Sequence, residues 1–180
     1  MVIWLTGISG AGKSTLAGLI QGSFKSRLPE LVLIDGDEVR ELFGNNLGYK
    51  EDDRYRQIER IQRIARMLDR QQMVVVVSAL YAHPKLLEWN RQNFSDYYEI
   101  YLEAPLDIVA ARDPKGLYAK AARGEMPDVV GIDVPWHAPA ASDLHIKMEP
   151  KGKADGAFRK IVNAIPLLAD LEKRENETAR

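Results

Sequence analysis

Residues 7–14 read Gly-Ile-Ser-Gly-Ala-Gly-Lys-Ser and follow the apolar run Val2-Ile3-Trp4-Leu5, so a glycine-rich loop with a lysine and a hydroxyl sits where a strand gives way to a helix. Glycine at positions 7, 10 and 12 removes side chains where the backbone must curl. Consecutive N–H groups can then face a polyphosphate at the positive end of the following helix. In this motif Lys13 reaches the β and γ phosphates, and Ser14 puts its hydroxyl on a magnesium ion. Thr15 is the weaker metal ligand, because the metal-facing oxygen comes directly after the lysine. The alternative is an ordinary glycine-rich turn, which the strand and helix context disfavours.

A second constellation follows Leu31-Val32-Leu33-Ile34: Asp35-Gly36-Asp37 leaves two carboxylates at the C-terminal end of a strand, where open α/β sheets bind ligands. Two carboxylates beside a γ-phosphate suit removal of a proton from an attacking hydroxyl and positioning of magnesium. Asp37 also reads as a helix N-cap, with Arg40 and Glu41 in the first turn. The third apolar run ends in Ser78-Ala79-Leu80, where a motor or switch ATPase would carry an acid. Further on, Arg112-Asp113-Pro114-Lys115-Gly116-Leu117-Tyr118 offers cations that could close over a transferring phosphate, or a capped helix end followed by a solvated turn.

These groups need a scaffold, and the chain suits one compact α/β domain over residues 1–180 whose 46% hydrophobic content supplies a core. Strands are expected at Val2–Leu5, Leu31–Ile34, Met73–Val77, Tyr98–Leu102 and Leu144–Met148. Helices are expected at Lys13–Phe24, Asp37–Phe43, Asp53–Gln71, after Pro84 and at Ala157–Leu171. Strand alternating with helix implies a five-stranded parallel sheet covered on both faces, in the manner of a P-loop kinase. Arg56, Arg60, Arg63, Arg66 and Arg70 fall mainly away from the apolar stripe of the long helix and read as a solvated face. Prolines and glycines punctuate residues 105–140, so about 112–135 is a candidate lid, and the polar tail 172–180 is expected to fray.

A formal net charge of −1 gives no global attraction to nucleic acid or an anionic membrane, so an anionic substrate must be held by local charge. The absence of cysteine excludes thiolate and disulfide chemistry. No segment approaches the roughly 20 apolar residues that span a bilayer, and a soluble, cytoplasmic protein is expected. His83, His137 and His145 show no spacing of a metal site.

The cradle, Asp35-Gly36-Asp37-Glu38-Val39-Arg40, Asp53-Arg54, the string from Arg112 to Tyr118 and Gly131-Ile132-Asp133 occur in the order and spacing of adenylylsulfate kinases, which the chain resembles over nearly its whole length. The resemblance implies transfer of the ATP γ-phosphate to the 3′-hydroxyl of adenosine 5′-phosphosulfate (APS), with magnesium, in a homodimer. Lys13, Asp35 and Asp37 would be catalytic, with Asp37 as general base. ATP would meet Gly7, Ser9, Gly10, Ala11, Gly12, Lys13, Ser14, Thr15 and Arg112. The acceptor would meet Asp35, Asp37, Arg40, Tyr49, Arg54, Gln57, Ile58, Leu80, Tyr81, Lys115, Gly116, Leu117 and Val129. Within that set Arg40 and Arg54 would hold the phosphosulfate, Tyr49 would stack on the base, and Lys115 would belong to the lid.

Departures from the family pattern cluster on the acceptor side. Its Asn-Ile-Arg-Arg is here Gln57-Ile58-Glu59-Arg60, its Phe-Thr-Gly is Val129-Val130-Gly131, and its Ile-Ser-Pro, with a phosphorylatable serine, is Leu80-Tyr81-Ala82. A second aromatic wall for the adenine is missing, and stacking on such a wall is worth about 1–3 kcal/mol. A second reading is therefore the same 3′-hydroxyl chemistry on another nucleotide conjugate, such as a cytidine diphosphoramidate. A non-catalytic nucleotide-binding domain is the third, and the presence of Lys13 and both carboxylates speaks against it.

Overall fold

The computed structural model describes residues 1–113, 116–149 and 154–178. Strands β1 (Val2–Thr6), β2 (Leu31–Asp35), β3 (Val74–Ala79), β4 (Tyr97–Glu103) and β5 (Leu144–Lys147) form one sheet in the order β2-β3-β1-β4-β5. All four pairings are parallel. The central strands β1 and β3 are buried along their whole length, which is why they read as unbroken apolar runs rather than as alternation. β3 and β4 flank β1, so the crevice outside the C-terminal ends of these strands collects the loops that bind ligand.

Helix α1 (Lys13–Phe24) covers β2 and β3 and meets α7 (Ala154–Ala164), with Phe24 against Phe158 at 6.3 Å. α3 (Glu51–Asp69) and α4 (Pro84–Asn93) pack against each other, and Phe94, at the end of α4, meets Trp4 of β1 and Trp89. Between β2 and α3 lies the short α2 (Gly36–Leu42). Glu51, Asp52 and Asp53 occupy the first turn of α3 and oppose its dipole in place of a side-chain cap.

Two expectations, the α2 cap and the helix at 157–171, need correction, and two further segments gain definition. The N-cap of α2 is Asp35, whose carboxylate accepts from the Asp37 N–H at 2.9 Å, so Asp37 lies inside the helix and caps nothing. The segment expected as a lid and its approach carry two short helices, α5 (Leu106–Arg112), in keeping with the helix end read at Arg112, and α6 (Leu117–Ala122), too short to show a helical period in sequence. The single helix expected at 157–171 is two, because Pro166 lacks the N–H that would continue α7 and instead opens α8 (Pro166–Thr178). α8 continues through most of the tail expected to fray, and its turns carry Leu168, fully buried. No described helix is long and apolar enough to cross a membrane.

Candidate active site

The cradle departs from β1 at Gly7, where a Cβ would come within 2.6 Å of the Leu102 carbonyl oxygen on β4, a contact that only glycine avoids. It ends at Gly12, the N-cap of α1, with φ at 97°, in the left-handed region where side chains are strained. The ammonium of Lys13 crosses back over the loop and donates to the carbonyls of Gly7 at 2.8 Å and Ile8 at 2.9 Å. A cation thus sits above a curl of backbone at the start of a 12-residue helix, which is the arrangement that gathers polyphosphate.

Ser14 donates its hydroxyl to Asp35 Oδ2 at 2.7 Å and lies 3.3 Å from the Ser78 hydroxyl. Asp35 and Ser78 are paired in register across β2 and β3, so the sheet itself brings them to one place. The acid that a switch ATPase would carry at the end of β3 is supplied here from one strand further out, and a serine fills the nearer position. Two hydroxyls and a carboxylate form an oxygen cluster of the kind a hard divalent cation takes. They are too few for a closed cage and suited to a magnesium ion shared with substrate phosphates. No set of three histidine or acidic side chains among the described residues could hold a metal by itself. One Asp35 oxygen accepts from Ser14 and the other from the Asp37 N–H, and the Asp37 side chain is exposed on the first turn of α2 and lines the cavity.

That cavity, about 620 Å³, runs from the cradle between α2, α3 and residues 126–129. Its far end is cationic. Arg40, buried at 7% exposure, donates to the Leu47 and Gly48 carbonyls at 2.8 and 2.9 Å. Arg54 donates to the Tyr49 carbonyl at 2.7 Å and the Asp128 carbonyl at 2.6 Å. Among the described residues neither guanidinium has a carboxylate within ion-pair distance. Burial first, and then the neighbouring Arg40 charge, push the Arg54 pKa below its ordinary value. Asp128 and Asp133 act on Arg54 only at longer range, and two guanidinium groups facing one cavity favour an anion there. The Tyr49 ring lies beneath both, 4.7 Å from Arg40 and 5.5 Å from Arg54, so the residue expected to stack on a base is stacked by guanidinium.

Gln57 is buried, donates to the Gly36 carbonyl at 3.1 Å and accepts from Arg60 at 3.2 Å, which steadies the turn between Asp35 and Asp37. Arg60, expected on the solvated face, also covers the Phe43 ring at 4.1 Å. Tyr81 is buried and donates to Glu51 Oε1 at 2.7 Å. Burial and that carboxylate push its phenol far above the ordinary value. The rings of His83 and His137 approach to 5.4 Å beside it, although nothing in their spacing suggested a pair.

Most sequence-derived candidates converge on the cavity: Ser9, Gly10, Gly12, Lys13, Ser14, Thr15, Asp35, Asp37, Arg40, Tyr49, Arg54, Gln57, Ile58, Leu80, Tyr81, Leu117 and Val129 all line it. Gly7, Ala11, Arg112 and Gly116 do not. Gly7 and Ala11 shape the loop behind it, and Gly116 with φ at 63° starts α6. Arg112 donates to the Glu149 carbonyl, just beyond β5. Lys115 lies outside the described residues. Sequence reading missed Ser78 and Lys120 as lining residues and Tyr118, whose hydroxyl donates to the Ser9 carbonyl at 2.9 Å. Only the place of Tyr118 in the string from Arg112 hinted at a role.

Residues 1–147 match the family model for adenylylsulphate kinase. The chain is 38% identical over 155 residues to the adenylyl-sulfate kinase of Deinococcus deserti, with 86% of each chain aligned. It is 36% identical over 146 residues to a probable adenylyl-sulfate kinase of Pseudomonas aeruginosa, covering 81% of this chain and 68% of that one. The APS kinase of Mycobacterium tuberculosis, solved in complex with AMPPNP and APS, matches the fold with a TM-score of 0.83 at 30% identity, covering 91% of this chain and 95% of that one.

Proposed function

The chain belongs to the adenylylsulphate kinase family, and from that premise we propose that it transfers the γ-phosphoryl group of ATP to the 3′-hydroxyl of APS, releasing ADP. The observation that carries the reading is that a phosphate cradle, Asp37 and a pair of arginines without close ion-pair partners among the described residues all line one cavity. The cradle takes the triphosphate, and Arg40 and Arg54 take the phosphosulfate. The acceptor hydroxyl is thereby brought alongside the γ-phosphorus, and fixing two reactants in this way removes much of the entropic barrier.

The 3′-oxygen forms the new bond to the γ-phosphorus as the bond to the β,γ-bridging oxygen breaks, and the hydroxyl proton passes to Asp37. Asp35 holds Ser14 and the start of α2, which suits it to the metal site and the cap. Ser14, Asp35 and Ser78 would hold the magnesium ion, which supplies charge neutralisation on the β and γ phosphates. Lys13 exchanges its loop carbonyls for those phosphates, a modest change of partners for a charge already stationed above the loop. The proposal extends to a single kinase domain, a homodimer and a cytoplasmic location. The assembly is checked by sedimentation of the purified protein.

The deciding experiment follows ADP release with ATP and magnesium, offering APS beside cytidine and uridine diphosphate conjugates at equal concentration, with product mass and phosphorylation position determined. Saturable turnover with APS and a product phosphorylated on the 3′-oxygen is expected. Turnover confined to a pyrimidine conjugate would replace the acceptor while keeping the chemistry. Absence of turnover with every acceptor would overturn the kinase reading.

A further inference from the structure

We propose that Lys120 is a phosphate-contacting residue of this kinase, a second cation facing the transferring phosphoryl group from the side opposite Lys13. The inference rests on the kinase reading of the cavity and not on which acceptor fills it.

Lys120 lines the same cavity as Lys13, Ser14, Asp35 and Asp37. Leu117, three residues earlier and hence on the same side of α6, lines it too, so this face of the helix is turned inward. Two contacts hold α6 in that orientation. The Asp113 carboxylate accepts from the Ala119 N–H at 2.9 Å, and the hydroxyl of Tyr118, buried at 5% exposure, donates to the Ser9 carbonyl of the cradle. The helix carrying Lys120 is therefore fastened to the loop that would carry the triphosphate.

The other cations of the cavity are engaged with backbone: Lys13 on Gly7 and Ile8, Arg40 on Leu47 and Gly48, Arg54 on Tyr49 and Asp128. Lys120 is exposed and, among the described residues, has no carboxylate within ion-pair distance. Its charge reaches Asp113 and Glu125 only at longer range, lowering the pKa of each. A flexible ammonium on a fixed helix can follow charge as it shifts from the γ-phosphate toward the bridging oxygen, where stabilisation accelerates the reaction.

The test needs no acceptor. Affinities for magnesium-ADP and for magnesium-ADP with aluminium fluoride, which mimics the transferring phosphoryl group, are measured by calorimetry on the full chain and on K120A, K120Q and K120R. K120A and K120Q are expected to weaken the fluoride complex at least about tenfold while the affinity for magnesium-ADP moves less than about twofold, and K120R to recover most of the loss. Either neutral variant folded to the wild-type melting temperature suffices. An unchanged ratio of the two affinities, or an equal loss in both, would overturn the assignment. Wild-type failure with APS alongside a collapsed ratio in K120A would remove the proposed acceptor and leave Lys120 in place. Turnover of APS with an unchanged ratio would do the reverse.

Discussion

Ser14 and Asp35, 21 residues apart, are joined by a hydroxyl-to-carboxylate hydrogen bond of 2.7 Å. The same carboxylate caps α2 through the Asp37 N–H, so one side chain organises the expected metal position and the helix bearing the expected base. D35N keeps an acceptor for the cap but loses the charge. Its melting temperature should stay close to wild type, while kcat falls about 100-fold or more and the magnesium requirement rises. D35A should in addition lose roughly 1 kcal/mol of stability through the missing cap. Thermal melts beside magnesium titrations of initial rate separate the two effects, and a D35N enzyme with wild-type magnesium dependence would refute the shared role.

Asp37 stands on the first turn of α2, where its N–H donates to the Asp35 cap and its side chain lines the cavity. D37N should leave ATP affinity within about twofold and lower kcat by roughly 100- to 10,000-fold, the range attributed to a positioned general base. Equilibrium nucleotide binding and single-turnover phosphoryl transfer, measured on the same preparation, make the comparison. Wild-type kcat in D37N would move the base elsewhere.

Arg54 reaches from α3 to the Asp128 carbonyl and so ties that helix to the wall at 126–129. R54A removes one of two cations and that tie together. It should raise the acceptor KM at least about tenfold with little change in the KM for ATP, because an anion held by a desolvated pair loses several-fold more than one held at an exposed site. R54K, which keeps charge but cannot reach both carbonyls in one plane, should restore only part of the affinity. Equal rises in both KM values would show that Arg54 supports the cavity as a whole.

Glu99 lies at 2% exposure, with Arg91 3.6 Å away and the Tyr97 hydroxyl donating at 3.1 Å. Burial raises its carboxyl above the ordinary value of 4.5, against the pull of Arg91. The folded state therefore binds this proton more tightly than the unfolded state. The contribution is full below the unfolded value and is lost as pH rises through the folded one. E99Q, which carries a permanent neutral group, should gain stability relative to wild type on moving from about pH 4 to about pH 8. Denaturant melts of both proteins at the two pH values test the sign; a relative loss at the higher pH would mean that the Arg91 pair outweighs burial.

How much of this was legible in one dimension follows from the range of the interactions. The cradle is a local object: glycines, a lysine and a hydroxyl at set intervals between a strand and a helix determine its shape, and buried parallel strands announce themselves as apolar runs because both their faces are covered. The pairing of Asp35 with Ser78 comes instead from the strand order β2-β3-β1, and no spacing in the chain encodes it. Short elements also escape periodicity, so α6 was invisible and with it the inward face that carries Leu117 and Lys120. The assignment of the α2 cap to Asp35 rather than Asp37 depended on where the strand ends, a boundary that sequence places only to within a residue or two. The fold class and the phosphate chemistry were readable along the chain, because both are written in local pattern. Which carboxylate meets the serine, which arginines share one cavity and what α6 turns toward it were settled only by the tertiary fold, because each is a contact between segments that the folded sheet brings together.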